Sequence, residues 1–117
     1  MSTLFRTQAQ HEKYIAYIQE GGLKSGCVLC EKTPLQEFNH WKIVPNDFPY
    51  DKIAKTHHMI LPKRHATEPD LSETEKQEFQ ELKVGYINQN YEFMIEPASK
   101  MKSIPEHFHL HLIVTKE

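Results

Sequence analysis

The chain has few glycines, few cysteines, no long apolar run and no surplus of positive charge. None of its apolar runs approaches the roughly 18 residues that a membrane-spanning helix needs. The formal net charge is −2, whereas general binding of nucleic acid or anionic membranes favours a basic surplus. With only four glycines and no G-x-x-x-x-G-K-[ST] segment, a P-loop nucleotide site is excluded.

The N-terminal residues, MSTLFRTQAQHEKY, also lack the apolar core of a signal peptide. We therefore expect a cytoplasmic protein that does not interact with membranes. The chain has 117 residues, of which 26% are charged and 38% are hydrophobic. This composition is typical of a globular protein, and the length predicts a single domain over residues 1–117.

Apolar periodicity and turn signals predict an α+β fold. Helical spacing predicts a helix over residues 8–20, and a capping box at Ser72 and Glu75 predicts a second helix that ends near Ile87. Strands are predicted over residues 38–44, 57–61, 91–96 and 107–115. This order favours an antiparallel sheet with two helices packed on it.

The last predicted strand, His107-Phe108-His109-Leu110-His111-Leu112-Ile113, carries the strongest functional signal. Because side chains alternate along a strand, the three histidines share one face and the apolar residues share the other. Three titratable rings on one face indicate a functional site. A metal-binding face is one interpretation, since imidazole is a common zinc and iron ligand. The structural alternative is the polar face of an exposed strand.

The two cysteines, Cys27 and Cys30, form a C-x-x-C pair. In a reducing compartment such a pair is either a redox couple or half of a metal site. Redox pairs of the thioredoxin kind begin a helix after a strand, whereas residues 21–26 have the composition of a loop. The pair therefore favours half of a zinc site, and we expect histidines as the remaining ligands.

Two motifs together resemble those of the histidine triad (HIT) superfamily. His57-x-x-x-x-Pro62-Lys63-x-His65 is similar to its upstream strand motif, and residues 107–113 are similar to its His-φ-His-φ-His-φ-φ signature, where φ is an apolar residue. The cysteine pair resembles that of the zinc-bearing members, which include many small bacterial HIT proteins. The resemblance extends from Cys27 to Val114 and implies a HIT-like α+β fold, with an antiparallel sheet of about five strands and two helices.

The resemblance implies a structural zinc ion and no organic cofactor. In the zinc-bearing members the ligands are the two cysteines, the histidine after Pro-Lys-x and the first triad histidine. These positions correspond here to Cys27, Cys30, His65 and His107. Two thiolates and two imidazoles suit a closed tetrahedral site, which leaves no open position for water.

The resemblance also implies a nucleotide hydrolase or transferase that attacks an α-phosphate with the middle triad histidine, here His109. Imidazole is largely unprotonated above a pKa of about 6.5 and can therefore act as a nucleophile near neutral pH. The resemblance places His111 at the phosphate oxygens or the leaving group, where it helps to place a proton on the departing group, and it places His57 in the same pocket. The implied substrates are nucleoside phosphoramidates, adenylate conjugates or dinucleoside polyphosphates.

Three further residues are implied in substrate binding. Asn46 matches a position that approaches the ribose or base in relatives. Ser103 is the natural phosphate donor before the triad, and Lys102 adds a positive charge. Family members carry a glycine in this loop, whereas residues 100–106 contain none.

Three alternatives remain open. A nucleotidyltransferase or phosphorylase would use phosphate or a sugar phosphate as the acceptor. A zinc-stabilised nucleotide-binding module would have no useful turnover, and a third kind of site would hold a catalytic metal on all three strand histidines. Because relatives commonly form homodimers, we expect a dimer here.

Overall fold

The computed structural model describes residues 5–23 and 26–117. Its five strands are β1 (Gln36–Glu37), β2 (Trp41–Pro45), β3 (Ala54–Pro62), β4 (Phe93–Ile95) and β5 (Leu110–Thr115). They form one antiparallel sheet in the order β1-β2-β3-β5-β4. The predicted fold class and sheet are therefore confirmed.

The described residues also form helices. They are α1 (Gln8–Gln19), α2 (Val28–Glu31) and α3 (Glu73–Leu82), and α3 continues through a π-helical turn (Lys83–Ile87) into a last turn (Asn88–Asn90). The predicted capping box is present, because Ser72 Oγ accepts the Glu75 N–H at 3.1 Å and the Glu75 carboxylate accepts the Ser72 N–H at 2.8 Å. The sequence pattern misses α2, since four residues are too few to show a helical period.

All four predicted strands differ from the observed strands at their ends. Of these, β3 begins at Ala54 rather than at residue 57, and β4 covers only Phe93–Ile95 of the predicted 91–96. Residues 38–40 belong to the turn between β1 and β2, where the Phe38 N–H donates to the Trp41 carbonyl at 2.8 Å, so β2 begins at Trp41 rather than at residue 38. Ladder pairing of the histidine strand begins at Leu110. His107 and His109 therefore lie just before the paired strand.

The two faces of the sheet carry different apolar clusters. Under the long helix lie seven buried residues: Trp41, Ile43, Ile60, Ile87, Phe108, Leu110 and Leu112. Trp41 anchors this face, since it is fully buried and its Nε1–H donates to the Glu75 carbonyl at 2.8 Å. On the opposite face a smaller cluster comprises Leu29, Val44, Met59 and Leu61. Alternation along β5 consequently turns the histidines toward this second face.

Within the described ranges, no helix is both long enough and apolar enough to cross a bilayer.

Candidate active site and metal centre

The register between β3 and β5 brings His57 and His111 together. His57 pairs with Ile113 and His111 pairs with Met59, so the two histidines are diagonal neighbours on one face. His57 Nε2 lies 2.7 Å from His111 Nδ1. His58 lies on the other face, where its Nδ1 is 2.7 Å from the Tyr91 hydroxyl.

His109 presents a free nitrogen to the cavity beside it. Its Nδ1 lies 2.9 Å from the backbone carbonyl oxygen of His107. A carbonyl can only accept, so the ring proton is on Nδ1 and the lone pair is on Nε2. Burial lowers the pKa of His109, and the hydrogen bond to the His107 carbonyl opposes that shift only in part. The ring is therefore neutral at neutral pH, as a nucleophile must be.

A backbone donor fixes the protons of the other two rings. The Tyr50 N–H donates to His57 Nδ1 at 2.9 Å, so the proton of a neutral His57 ring is on Nε2. That proton is donated to His111 Nδ1. The proton of His111 is consequently on Nε2, which lies 3.5 Å from the Tyr50 hydroxyl and borders the cavity.

Burial keeps both of these rings neutral. Desolvation is the main cause that lowers the pKa of His57 to about 3, and the positive charge of Arg6 adds to it. Desolvation likewise lowers the pKa of His111 to about 2, with further contributions from His57, His109 and Arg6. At neutral pH His111 is thus a hydrogen-bond donor without a positive charge.

A cavity of about 270 Å³ lies against these histidines. Its lining includes five of the residues singled out in the sequence: Asn46, Lys102, Ser103, His109 and His111. The volume is close to the lower end of the range for small-molecule sites. His57 does not line the cavity, but its ring contacts that of His111, which does. It can therefore act on a ligand only through His111.

Asn46 directs its amide nitrogen toward the histidines. Its Oδ1 accepts the Phe48 N–H at 2.8 Å, which places Nδ2 3.2 Å from His57 Nε2. Because Nε2 carries a proton that is donated to His111, this contact joins two donors and is not a hydrogen bond. The Asn46 NH₂ group is therefore suited to donate to a ligand in the cavity.

The loop before the triad contributes a hydroxyl and a charge. The Tyr14 hydroxyl of α1 donates a short hydrogen bond to the Ser103 hydroxyl, which joins the N-terminal helix to this loop. Lys102 Nζ lies 3.5 Å from a Glu96 carboxylate oxygen and 6.0 Å from the Phe108 ring centre. Contacts with α1 and with Glu96, the residue after β4, thus hold the loop in place without a glycine.

A second cluster lies next to the histidines and comprises Cys27, Cys30, His65 and His107. One ligand atom from each residue lies within 4.8 Å of the others. The three sulfur–nitrogen contacts measure 3.3–3.4 Å. Tetrahedral zinc with bonds of about 2.3 Å to sulfur and 2.0 Å to nitrogen requires about 3.5 Å between these atoms. The four side chains therefore fit a bound metal ion.

Neighbouring groups support the same cluster. His107 is 1% exposed, and its Nε2 donates to the Pro62 carbonyl at 2.9 Å, which leaves the Nδ1 lone pair directed at the two sulfurs. Such an outer hydrogen bond is what orients a metal-binding histidine. The ammonium group of Lys42 donates to the carbonyls of Cys30 and Lys32, both at 3.2 Å, and so holds the cysteine segment on β2.

The three strand histidines consequently have three different partners. His107 faces the cysteines, His109 donates to a backbone carbonyl and His111 accepts from His57. Their ring nitrogens do not converge on one point. Among residues 5–23 and 26–117, the cysteine–histidine cluster is the single group of three or more metal-binding side chains.

Comparison with known proteins gives structural matches only. No family model and no curated protein matches the chain by sequence. A HIT family hydrolase from Legionella pneumophila has a TM-score of 0.55 at 21% identity, covering 78% of this chain and 94% of that one. A HIT family hydrolase from Clostridium thermocellum has a TM-score of 0.53 at 21% identity, covering 76% and 90%. A histidine triad protein from Clostridium difficile has a TM-score of 0.50 at 16% identity, covering 89% and 90%.

The chain has the histidine triad fold.

The sequence analysis did not predict that the N-terminal segment of this histidine triad fold lines the cavity. The cavity is also lined by Arg6, Tyr14, Tyr17, Phe48 and Tyr50. Phe48 packs on both Tyr14 and Tyr17, with ring centres 5.1 Å and 5.0 Å apart. Periodicity predicts α1 and its apolar side, but it does not show which surface the helix covers. In the sequence, only the aromatic residues in the loop after β2 indicate a surface on which this helix could pack.

Proposed function

We propose that the protein is a nucleotide hydrolase that cleaves at an α-phosphate through a nucleotidyl-histidine intermediate on His109. The observation that carries this proposal is the 2.9 Å contact of His109 Nδ1 with the His107 carbonyl, which leaves Nε2 as a free nucleophile beside the cavity. The names of the structural neighbours, two of which are HIT family hydrolases, agree with a hydrolase.

The reaction has two displacements at phosphorus. The Nε2 lone pair of His109 forms a bond to the α-phosphorus while the bond to the leaving group breaks, and the electron pair departs with that group. Water then attacks the same phosphorus, the phosphorus–nitrogen bond breaks and the nucleoside monophosphate is released. The Nδ1–H bond to the His107 carbonyl stabilises the positive charge that His109 gains in the first step.

His111 stabilises the departing group by a hydrogen bond. Its Nε2–H borders the cavity, and Asn46 and Ser103 add further polar groups to the same lining. Burial lowers the pKa of His111 to about 2, so the ring donates this hydrogen bond as a neutral imidazole and not as an imidazolium. His57 is a positioning residue, since it holds the proton of His111 on the side of the cavity.

We assign the cysteine–histidine cluster to a structural zinc ion. Two thiols and two imidazoles match the preferred ligands and number of ligands of a closed zinc site. A bound ion would link α2, the segment after β3 and the segment before β5, because these carry the four side chains. It would thereby fix the backbone of His107, whose carbonyl orients His109.

The covalent intermediate provides the test. The protein is mixed with adenosine 5′-phosphoramidate or diadenosine triphosphate, quenched at neutral pH and examined by intact mass and peptide mapping. We expect a mass increase of one adenylyl group on His109 that is lost in acid. His109→Ala should abolish both the adduct and turnover. His58→Gln is the matched control, because His58 lies on the opposite face of β3 and should retain both.

The other outcomes separate the alternatives. Turnover that persists in His109→Ala would contradict the proposed nucleophile. Nucleotide binding without any adduct or turnover would instead favour a zinc-stabilised binding module. Dependence of turnover on inorganic phosphate, with a nucleoside diphosphate as product, would identify a phosphorylase. The homodimer, the cytoplasmic location and the single domain stay predictions.

A further inference from the structure

Three cationic side chains line the cavity among the described residues, and they differ in their partners. Lys32 Nζ lies 2.7 Å from an Asp47 carboxylate oxygen, and Lys102 Nζ lies 3.5 Å from one of Glu96. Arg6 has no carboxylate partner within residues 5–23 and 26–117. Its Nε donates to the Phe48 carbonyl at 2.8 Å, and this is its one hydrogen bond to a described residue. The four N–H groups on its two Nη atoms therefore remain for a ligand.

The fold holds Arg6 in place on both sides. The Lys52 N–H donates to the Phe5 carbonyl at 2.9 Å. The Thr7 N–H and hydroxyl donate to the Asp51 carboxylate at 2.7 Å and 2.8 Å. The backbone of Arg6 is thus fastened to the loop between β2 and β3. An arginine fixed in this way loses less conformational freedom on binding an anion than a mobile surface side chain does.

Aromatic rings set the position of the guanidinium group. Arg6 Cζ lies 4.6 Å from the ring centre of Tyr14 and 5.0 Å from that of Tyr50. The Tyr50 ring in turn packs against His111, with ring centres 5.1 Å apart, and His111 packs against His109 at 5.5 Å. The guanidinium group is therefore connected to the triad through the Tyr50 ring on the His111 side, and its charge contributes to the lowered pKa of His111 but is not among the causes of the shift of His109.

We propose that Arg6 is a specificity-determining residue that binds a second phosphate, so that the preferred substrates are nucleoside polyphosphates or dinucleoside polyphosphates rather than phosphoramidates. This inference rests on the proposed function, because it names the substrate class of the same site. The planar guanidinium group suits two phosphate oxygens at once. A phosphate chain whose α-phosphorus is at His109 would extend past His111 toward Arg6.

The chemistry of the leaving group agrees with this assignment. The neutral His57–His111 pair supplies a hydrogen bond but no acid. An amine leaving group requires a proton as the phosphorus–nitrogen bond breaks, whereas a phosphate group can depart with the electron pair as an anion. A cation beside the departing phosphate stabilises the charge that develops there.

Binding measurements test the inference without turnover. The full-length protein is titrated calorimetrically with adenosine monophosphate and with α,β-methylene adenosine diphosphate, whose bridge cannot be cleaved. We expect the wild type to bind the diphosphate analogue about 10- to 100-fold more tightly than the monophosphate, as is typical of a charge-assisted contact. In Arg6→Gln this preference should fall below about twofold, with the affinity for the monophosphate unchanged.

Lys13→Gln is the matched control, since it removes one positive charge from an exposed position on α1 and should keep the wild-type preference. Equal affinity of the wild type for the two ligands, or no binding of the diphosphate, would overturn the inference. An equal loss for both ligands in Arg6→Gln would also overturn it, because that result indicates a structural or nucleoside-binding role. Absence of the His109 adduct, with the binding preference intact, would refute only the proposed function.

Discussion

His57→Leu isolates the contribution of a residue that does not border the cavity. The change removes the donor to His111 Nδ1, a contact of 2.7 Å between two rings that are each 6% exposed. A buried acceptor that loses its partner costs about 1–3 kcal/mol. If the activation free energy rises by that amount, kcat falls about 5- to 150-fold, because 1.36 kcal/mol corresponds to a factor of ten.

The reasoning requires that KM changes little, since His57 acts through His111 and not on the substrate. Steady-state kinetics with diadenosine triphosphate give both constants. His57→Gln is the matched variant, because its amide can donate to His111 in place of the ring and should recover most of the activity. Thermal unfolding of each variant separates this effect from a loss of structure.

Nitrogen-15 spectra provide a readout that is independent of activity. In the wild type, His111 should be protonated on Nε2 and His57 on Nε2, because the Tyr50 N–H donates to His57 Nδ1. In His57→Leu the His111 ring should show a mixture of the two tautomers. A wild-type His111 with its proton on Nδ1, or an unchanged kcat in His57→Leu, would refute the reasoning.

The remaining predictions concern stability. Cys27→Ser should lose the metal and lower Tm by about 15 °C, because removal of a metal site is among the largest single-residue effects in a chain of this size. Mass spectrometry after desalting measures the bound zinc, and zinc retained in this variant would contradict the metal assignment. Contacts with Arg64 and Ser72 lower the pKa of Glu75 to about 2. The stabilisation that Glu75 provides is therefore complete above its unfolded pKa of about 4.3 and is lost as the pH falls toward 2. Glu75→Gln should lower Tm by on the order of 4 °C at pH 7, and the difference from the wild type should vanish near pH 2; a difference that does not depend on pH would exclude this origin.

The elements that sequence predicted well are those with local signals. The helix after Ser72 begins at a capping box, and the whole box lies within four residues of chain. Elements that depend on distant partners were predicted less well. The two residues of β1 are a strand only because they pair with β2, and the paired part of β5 begins only at Leu110, opposite Ile60 of β3.

The same division applies to the candidate site. Alternation along one strand is a local property, and it places His109 and His111 on the face of the sheet that carries the cavity. The contact between the His57 and His111 side chains depends on the register of β3 against β5. The two histidine motifs imply that register only through a family resemblance. The tautomers require still more, because they depend on the backbone N–H of Tyr50, a residue that no motif includes.

The positions of the charges around the site are the feature that the sequence predicts least well. Arg6 and Phe48 are 42 positions apart, and no periodicity relates the N-terminal segment to the loop after β2. Yet the positive charge of Arg6 contributes to the lowered pKa of both His57 and His111. Burial and this charge together favour the neutral forms of both histidines, so the positive charge that lines this part of the cavity is that of Arg6 and not that of an imidazolium. Under the proposed function, such a site would favour the departure of an anion over that of an amine, and the charge at position 6, rather than the triad, would then distinguish between substrates.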